Sequence, residues 1–524
     1  MARIFAYTVF GLALLTALGS AEAQEPKRGG TVITTVQADP NVINPAISTS
    51  PPDGITGCMV YEALTKVSGE RIMPLLAKSW TVSPDGKTYS FKLNQANWQD
   101  GKPFTSADVK FSLLEINAKY TPAFAPTPGR LIEGIDTPAP DEVVIRLKQA
   151  FGPLIRTLSC NQGGVLMPKH VFEGSDIFKN PAIRAPMGTG PFKLQEWKHG
   201  DFLRLVRNDD YWQKGKPYLD SVIVKVVPQP SARTQALITG ETDFVSYYIF
   251  PTNDLPQVRN NPKYTLTETK IPPSQSMVLI NVTRKPLNDK RVRHALFMAT
   301  DREYLAKTAW LGMGPAAIAP FNSKLTWAAN PDIDYRKMYP FDVARANALF
   351  DEAGYKRDAS GTRFTLHVVF ASDEVNFGGV AVALKSMWKA VGVDLVVDAM
   401  DRQIAEKRAF EEGDFDLHLN NYTSGGDPAI GLARIFVTSS IGKTYGNASR
   451  YNNPEIDRLF IEAEQGVDQE SRGKIYQKIQ AILAEDLPVF TLREGTAYDV
   501  YTSAIQGLDN DAYFPTWADA WLKK

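Results

Sequence analysis

The stretch WQDGKPFTSADVKFS (98–112) puts Gly101-Lys102, the hydroxyls of Thr105 and Ser106 and the carboxylates of Asp100 and Asp108 within one short segment. Such residues could cradle a phosphate or do acid–base work. A phosphate-binding loop needs a glycine five residues before the Gly of Gly-Lys, and Ser or Thr directly after the lysine. Those positions hold Ala96 and Pro103. Gly442-Lys443-Thr444 keeps the hydroxyl, but Val437 stands at the required glycine and no strand-to-helix context precedes it. Neither segment should hold a nucleotide. The five histidines, His170, His199, His294, His367 and His418, are scattered, with no H-E-x-x-H and no Cys/His cluster. A structural zinc site is therefore not expected. No G-x-S-x-G is present either, and no cofactor motif is read.

The polar groups of 98–112 all have a local structural use. QDGKP is turn chemistry, since Asp and Gly tolerate unusual backbone angles. Thr105 suits a helix N-cap, and Asp108, three residues on, comes close to a capping-box arrangement and is favourable to the helix dipole. Val109, Leu113 and Ile116 then give that helix one apolar face.

The elements around these residues belong to an ordinary globular chain of 524 residues, long enough for more than one lobe. Lys+Arg and Asp+Glu balance at 58 each, so no global basic field favours nucleic acid. The first residues, MARIFAYTVFGLALLTALGSAEAQ, read as a secretory signal peptide: an early cation, a short apolar run, then small residues at Ala21 and Ala23. Cleavage is expected after Ala23. The apolar run is shorter than the ~20 residues a membrane span needs, which argues against an uncleaved anchor. An exported, soluble, periplasmic protein is expected. Export makes a disulfide between Cys58 and Cys160 chemically possible; two buried small hydrophobes is the other reading, and both stay open.

Further along, TVITTV (31–36) reads as a strand. TYSFKL (88–93) follows the turn SPDG as a hairpin arm, and EVVIRL (142–147) is similar. FLRLVRN and SVIVKVV (221–227) suggest a central sheet. Residues 275–490 look like a second α/β lobe. There TLHVVF, VDLVVD and DFDLHLN alternate with helices, implying parallel strands with right-handed crossovers. The first of these helices carries Val380, Leu384, Met387, Trp388 and Val391 on one face. LPVFTLRE (487–494) reads as a late strand returning to the first lobe.

A resemblance then covers nearly the whole mature chain. PLLAKSWTVSPDGKTYSFKLNQANWQDGKPFTSADVKFS (74–112) resembles the signature of solute-binding protein family 5, the dipeptide-, oligopeptide- and nickel-binding receptors of bacterial ABC importers. The usual form is Trp-His-Asp-Gly-x-Pro-Phe-Thr-Ala-x-Asp-Val, and Gln99 stands where His is common. GTGPFKLQEWKHGDFLRLVRNDDYWQKGKPYLDSVIVKVV, NVTRKPLNDKRVRHALFMATDRE and YNNPEIDRLFIEAE are similar to later family motifs. The resemblance implies an α/β, two-lobed periplasmic binding protein fold, with a hinge and an extra subdomain in the first lobe. The expected boundaries are a signal peptide over 1–23, first lobe over 24–62, extra subdomain over 63–187, first lobe again over 188–274, second lobe over 275–489 and a return to the first lobe over 490–524.

In peptide-binding relatives, a segment after a second-lobe strand supplies an aromatic residue and then an Asp that pairs with the peptide's amine. The matching stretch is DFDLHLNNYTSGGDPAIGLARIF (414–436). Tyr422 falls at the aromatic position, as pocket wall or as core. Gly425 falls where the amine-binding Asp is expected. Asp427 comes two residues later, either reaching the ligand or capping the helix begun by Pro428. Asn420 and Asn421 offer donors and acceptors for a polar ligand. Asn44, in the loop leaving the first strand, and Gln275, near the crossover, are further candidates. Trp310, Phe321 and Trp327 read as aromatic walls or core. His418 would be a nickel ligand only by analogy; a lone His is more often structural.

The expected function is capture of a small polar solute, peptide or opine-like, between two lobes, and delivery to an ABC permease and, through it, its ATPase subunits. A monomer that does no chemistry suffices for this. The alternatives are an exported hydrolase, which lacks a nucleophile–base motif here, and a periplasmic chaperone.

Overall fold

The computed structural model describes residues 25–48, 50–269, 274–374, 376–509 and 513–523. The expected leader and its cleavage site lie outside the described residues. No described helix is long and apolar enough to cross a membrane.

Two large sheets define two lobes. The first is seven-stranded, in the order Tyr264–Glu268, Tyr498–Thr502, Phe244–Val245, Thr31–Val36, Ser221–Val226, Phe202–Arg207, Phe192–Lys198. The β-branched run Thr31–Val36 lies inside it, parallel to Ser221–Val226, and Val32, Val222, Val224, Leu203 and Leu205 are fully buried in its core.

The second sheet is five-stranded: Val393–Met400, Phe364–Ala371, Leu417–Tyr422, Gln275–Ile280, Val489–Glu494. Its first three strands are parallel, as the alternation of strands and helices requires. Helix Phe377–Ala390 makes one crossover and buries Val380, Leu384 and Trp388 against the sheet. Gly392, at φ +84°, turns the chain back into the next strand. Gln275–Ile280 and Val489–Glu494 are buried along their whole length.

The extra subdomain is a four-stranded antiparallel sheet, Ala77–Val82, Thr88–Leu93, Glu142–Leu147, Ile132–Ala139, with a core of its own. Segment 98–112 sits there as scaffold. Thr105 and Asp108 form the reciprocal capping box, Val109, Leu113 and Ile116 are buried, and Gln99 Nε2 donates to the carbonyls of Gly190 and Phe192. Cys58 and Cys160 are joined in a disulfide, tying helix Pro51–Val60 to the segment that follows the subdomain's sheet.

One expectation is corrected. Strand Val489–Glu494 does not return to the first lobe; it pairs with Gln275–Ile280 at the edge of the second sheet. The return is made by Tyr498–Thr502. The chain thus crosses between lobes twice, between Glu268 and Gln275 and between Glu494 and Tyr498. A continuous apolar strand carries no mark of which sheet it joins, because its partners are hundreds of residues away.

Candidate ligand-binding cleft

The two crossings fix where a ligand could be held. They bring the start of Gln275–Ile280 and the end of Val489–Glu494 to one end of the second sheet. Leu417–Tyr422 runs antiparallel to the former, so its own end arrives there too. Residues paired across neighbouring strands share a face. One row is therefore Tyr422, Gln275 and Glu494, and the next, on the opposite face, is Asn421, Ser276 and Arg493.

In the first row every member keeps an unused polar atom. Tyr422 is buried against the second-lobe core, with Phe436 and Leu432 in the same cluster and the Arg434 guanidinium 5.7 Å from its ring centre. Its hydroxyl has no hydrogen-bond partner among the described residues, and burial pushes its pKa up. Gln275 donates through Nε2 to the Pro320 carbonyl at 3.3 Å, while its Oε1 is unpaired. Glu494 accepts from Ser323 Oγ through Oε2, and its Oε1 is unpaired. Buried polar atoms left so are costly and point to a missing partner, solvent or ligand.

In the second row Ser276 Oγ donates to Asn421 Oδ1 at 2.8 Å, and Asn421 Nδ2 reaches Glu374 Oε2 at 3.4 Å. Glu374 is itself held by Arg402. Asn420 points to the other face, its Nδ2 3.3 Å from His418 Nε2. His418 is core: its Nδ1 lies 3.0 Å from the Val369 carbonyl, Phe410 and Phe415 pack on the ring, and burial lowers its pKa to about 4. Trp310 lies beneath Arg493, Phe321 is core, and Trp327 packs on Tyr476.

The loop after Tyr422 meets the first lobe. Gly425 and Gly426 have φ of +63° and +82°. A Cβ on Gly426 would stand 2.5 Å from Arg156 Nη1, and one on Gly425 would have Gln162 Nε2 at 3.8 Å. Tyr513 of the first lobe hydrogen-bonds the Thr423 side chain. Asp427 has no free oxygen. Oδ1 accepts from the Ala429 amide at 3.0 Å, capping helix Pro428–Gly431, and Arg472 grips both oxygens at 2.7 and 2.8 Å. Burial pulls the Arg472 pKa down, but the Asp427 charge outweighs it and holds the guanidinium above its usual value.

On the first-lobe side, Asn44 is buried in a turn; its Oδ1 accepts from the Ala46 amide and its Nδ2 is unpaired. Its neighbours Pro45 and Ser48, with Asn161, Tyr248 and Tyr513, line a cavity of about 130 Å³. A larger cavity, about 660 Å³, lies between the lobes, lined by Ser68–Arg71 on one side and Lys324 and Thr326 on the other, with Glu268 and Thr269 at the crossing. Among the described residues, no group of three or more His, Cys, Asp or Glu is placed to hold a metal ion.

The structure thus brings Tyr422, Gln275, Asn421 and Asn420 to one sheet end and Asp427 and Gly425 to the adjoining loop, while Asn44 belongs to the opposite lobe. Sequence reasoning missed Arg493, Arg156, Tyr513 and Arg472. Only Arg493 had a local signal, a charged pair closing an otherwise apolar strand.

A two-lobed fold with polar groups converging where the chain crosses defines a binding protein of the hinged, cleft type. Comparison with known proteins places it further. The profile of the bacterial extracellular solute-binding proteins, family 5 Middle, matches residues 71–443, and the chain belongs to that family. It is 27% identical over 482 residues to the oligopeptide-binding protein AppA of Bacillus subtilis, covering 89% of this chain and 86% of AppA. It is 28% identical over 430 residues to the glutathione-binding protein GsiB of Salmonella paratyphi A, covering 80% of each. The crystal structure of the ABC transporter substrate-binding protein CtaP from Listeria monocytogenes superposes with a TM-score of 0.81 at 26% identity, covering 95% of this chain and all of CtaP. The chain is accordingly an ABC-transporter substrate-binding protein, and not an enzyme.

Proposed function

We propose that the protein works in the periplasm, captures a small polar solute of peptide or peptide-like character between its lobes, and hands it to a membrane permease whose ATPase subunits drive uptake. The polar rows at the interlobe end of the second sheet support this reading, as do the export leader in the sequence and the named ligands of AppA and GsiB. Lobe closure removes the solute from water, where each well-made hydrogen bond counts most.

The observation that carries the specificity is the state of Asp427. Its oxygens serve Arg472 and a helix cap, Gly425 bears no side chain, and Gly426 is covered by a guanidinium. In this loop no carboxylate is left to receive an ammonium group; the unpaired Glu494 Oε1 belongs to the neighbouring strand row. Ordinary free-amine di- and tripeptides should therefore bind poorly, weaker than about micromolar, or about 8 kcal/mol. Solutes without a free α-amine at that point are favoured. Calorimetry with alanyl-alanine and with its N-acetyl form tests this. Tight binding of the free dipeptide, abolished by Asp427→Asn in a protein that still melts cooperatively, would overturn it.

A further inference from the structure

Six arginines are buried among the described residues: Arg156, Arg233, Arg293, Arg302, Arg472 and Arg493. Five of them have acceptors. Arg156 donates to the Gly69 and Glu70 carbonyls, Arg233 to those of Val227, Pro228 and Ile249, and Arg293 to Leu287 and Asp486. Arg302 donates to Phe297, Tyr335 and Tyr339, and Arg472 to Asp427 and the Ala463 carbonyl. Arg493 is different. It is 9% exposed, its Nε is buried without a partner, and no hydrogen bond or ion pair to a described residue engages its side chain. The Trp310 ring lies with its centre 5.2 Å from the guanidinium carbon.

The backbone is shaped to put this group where it is. The register between the two strands skips Leu492, so that Met277 pairs with Thr491 and Ser276 with Arg493. This bulge places Arg493 on the face of Ser276 and Asn421 instead of the face of Thr491; bulges commonly re-aim a side chain beside a functional site. Gly495 leaves room next to it: a Cβ there would stand 3.0 Å from Arg493 Nη2. The acid of this row, Glu374, is held by Arg402, and no acid among the described residues forms an ion pair with Arg493. Burial alone lowers its pKa, to about 10, which leaves it charged at neutral pH. A buried, charged and unpaired guanidinium costs the empty protein stability. Such groups persist where a ligand completes them.

We propose that Arg493 is the anion-recognition residue of the cleft, receiving a carboxylate of the captured solute with Ser276 and Asn421 alongside. The guanidinium fork matches a planar carboxylate through paired N–H donors. This deepens the proposed receptor function and rests on it: the solute lacks a required ammonium anchor but carries an acid group.

The test uses full-length wild-type protein and the variants Arg493→Met and Arg493→Lys, isolated from the periplasm and denatured, with released solutes identified by mass spectrometry. The wild type should release a solute bearing a carboxylate. Arg493→Met should retain at least about ten-fold less, with Arg493→Lys in between. Stripped of solute, Arg493→Met should melt at the same temperature as wild type or higher, which a merely structural arginine would not allow. A neutral or cationic solute in the wild type, or equal retention by Arg493→Met, overturns the proposal, as does a lower melting temperature with solute retained. If no solute is released, N-acetyl-alanyl-alanine and its C-terminal amide serve as probes. Preference of wild type, but not of Arg493→Met, for the acid supports the proposal, and absence of that preference overturns it. Binding of neither probe by an empty wild type removes the peptide-like solute proposed above, and this inference with it.

Discussion

Asp427 and Glu62 are buried carboxylates with opposite consequences. Asp427 is paired, charge against charge, with Arg472 inside the second lobe. Arg472→Met should leave that carboxylate buried and unpaired and cost about 3–5 kcal/mol in urea unfolding. An unchanged midpoint would show the pair is not formed in solution. Glu62, in the first lobe, forms no ion pair among the described residues, and the charge of Lys66 offsets its burial only in part. It accepts from Tyr211 at 2.7 Å and from Trp212 and Thr189 at 2.8 and 2.9 Å. Burial, only partly opposed by these bonds, raises its pKa to about 7 from 4.5. A folded-state pKa above the unfolded one gives stability that is full below about pH 4.5 and lost as pH rises through about 7. Unfolding curves of Glu62→Gln and wild type should therefore differ with pH across this window, by at most about 3 kcal/mol. His418, with its lowered pKa, slopes the other way but is common to both proteins and cancels. Parallel curves would contradict the assignment.

Secondary elements divide the labour between scaffold and site. The capping box at Thr105 starts the subdomain helix Ser106–Phe111, and its Asp108 also accepts from the Lys169 amide at 3.0 Å. Thr105→Ala should lower stability by about 1 kcal/mol and leave solute retention unchanged; a binding defect without a folding defect would show that segment 98–112 reaches the ligand after all. The strands of the second sheet do both jobs. Their apolar residues fill the core from both faces, and the residues that meet at the crossing end are mostly polar. The bulge at Leu492 shows how one extra residue can change which face a charged side chain takes without disturbing the strand's buried part.

As a whole molecule, the protein joins its lobes by the Tyr513–Thr423 bond and by further polar contacts. Glu70 accepts from the Thr326 amide at 2.6 Å and its hydroxyl at 2.7 Å, Glu268 pairs with Lys324, and the Gly152 amide donates to the Glu464 carbonyl at 2.8 Å. Partly exposed polar contacts contribute about 0.5–1.5 kcal/mol each, so opening by rotation about the two crossings is within thermal reach. Glu70→Ala without solute should show a larger radius of gyration by solution scattering than wild type, and adding the recovered solute should reduce it. Identical curves for the two empty proteins would mean that this contact does not hold the closed arrangement.

Much of this was legible in the chain. The strands and helices follow from periodicity, as with Val380, Leu384 and Trp388 on one helix face. The capping role of Thr105 and Asp108 follows from spacing, and the family from ordered motifs. These are local signals, written within a few residues of where they act. Whether Cys58 meets Cys160, which sheet Val489–Glu494 joins, that Asp427 is taken by Arg472, and that Arg493 is left unpaired were decided only by tertiary structure. Each depends on residues far apart in sequence being brought together. A side chain's partner, unlike its helix or strand, is a property of the packed chain: the same carboxylate or guanidinium is a ligand group or a structural one according to what the fold places beside it.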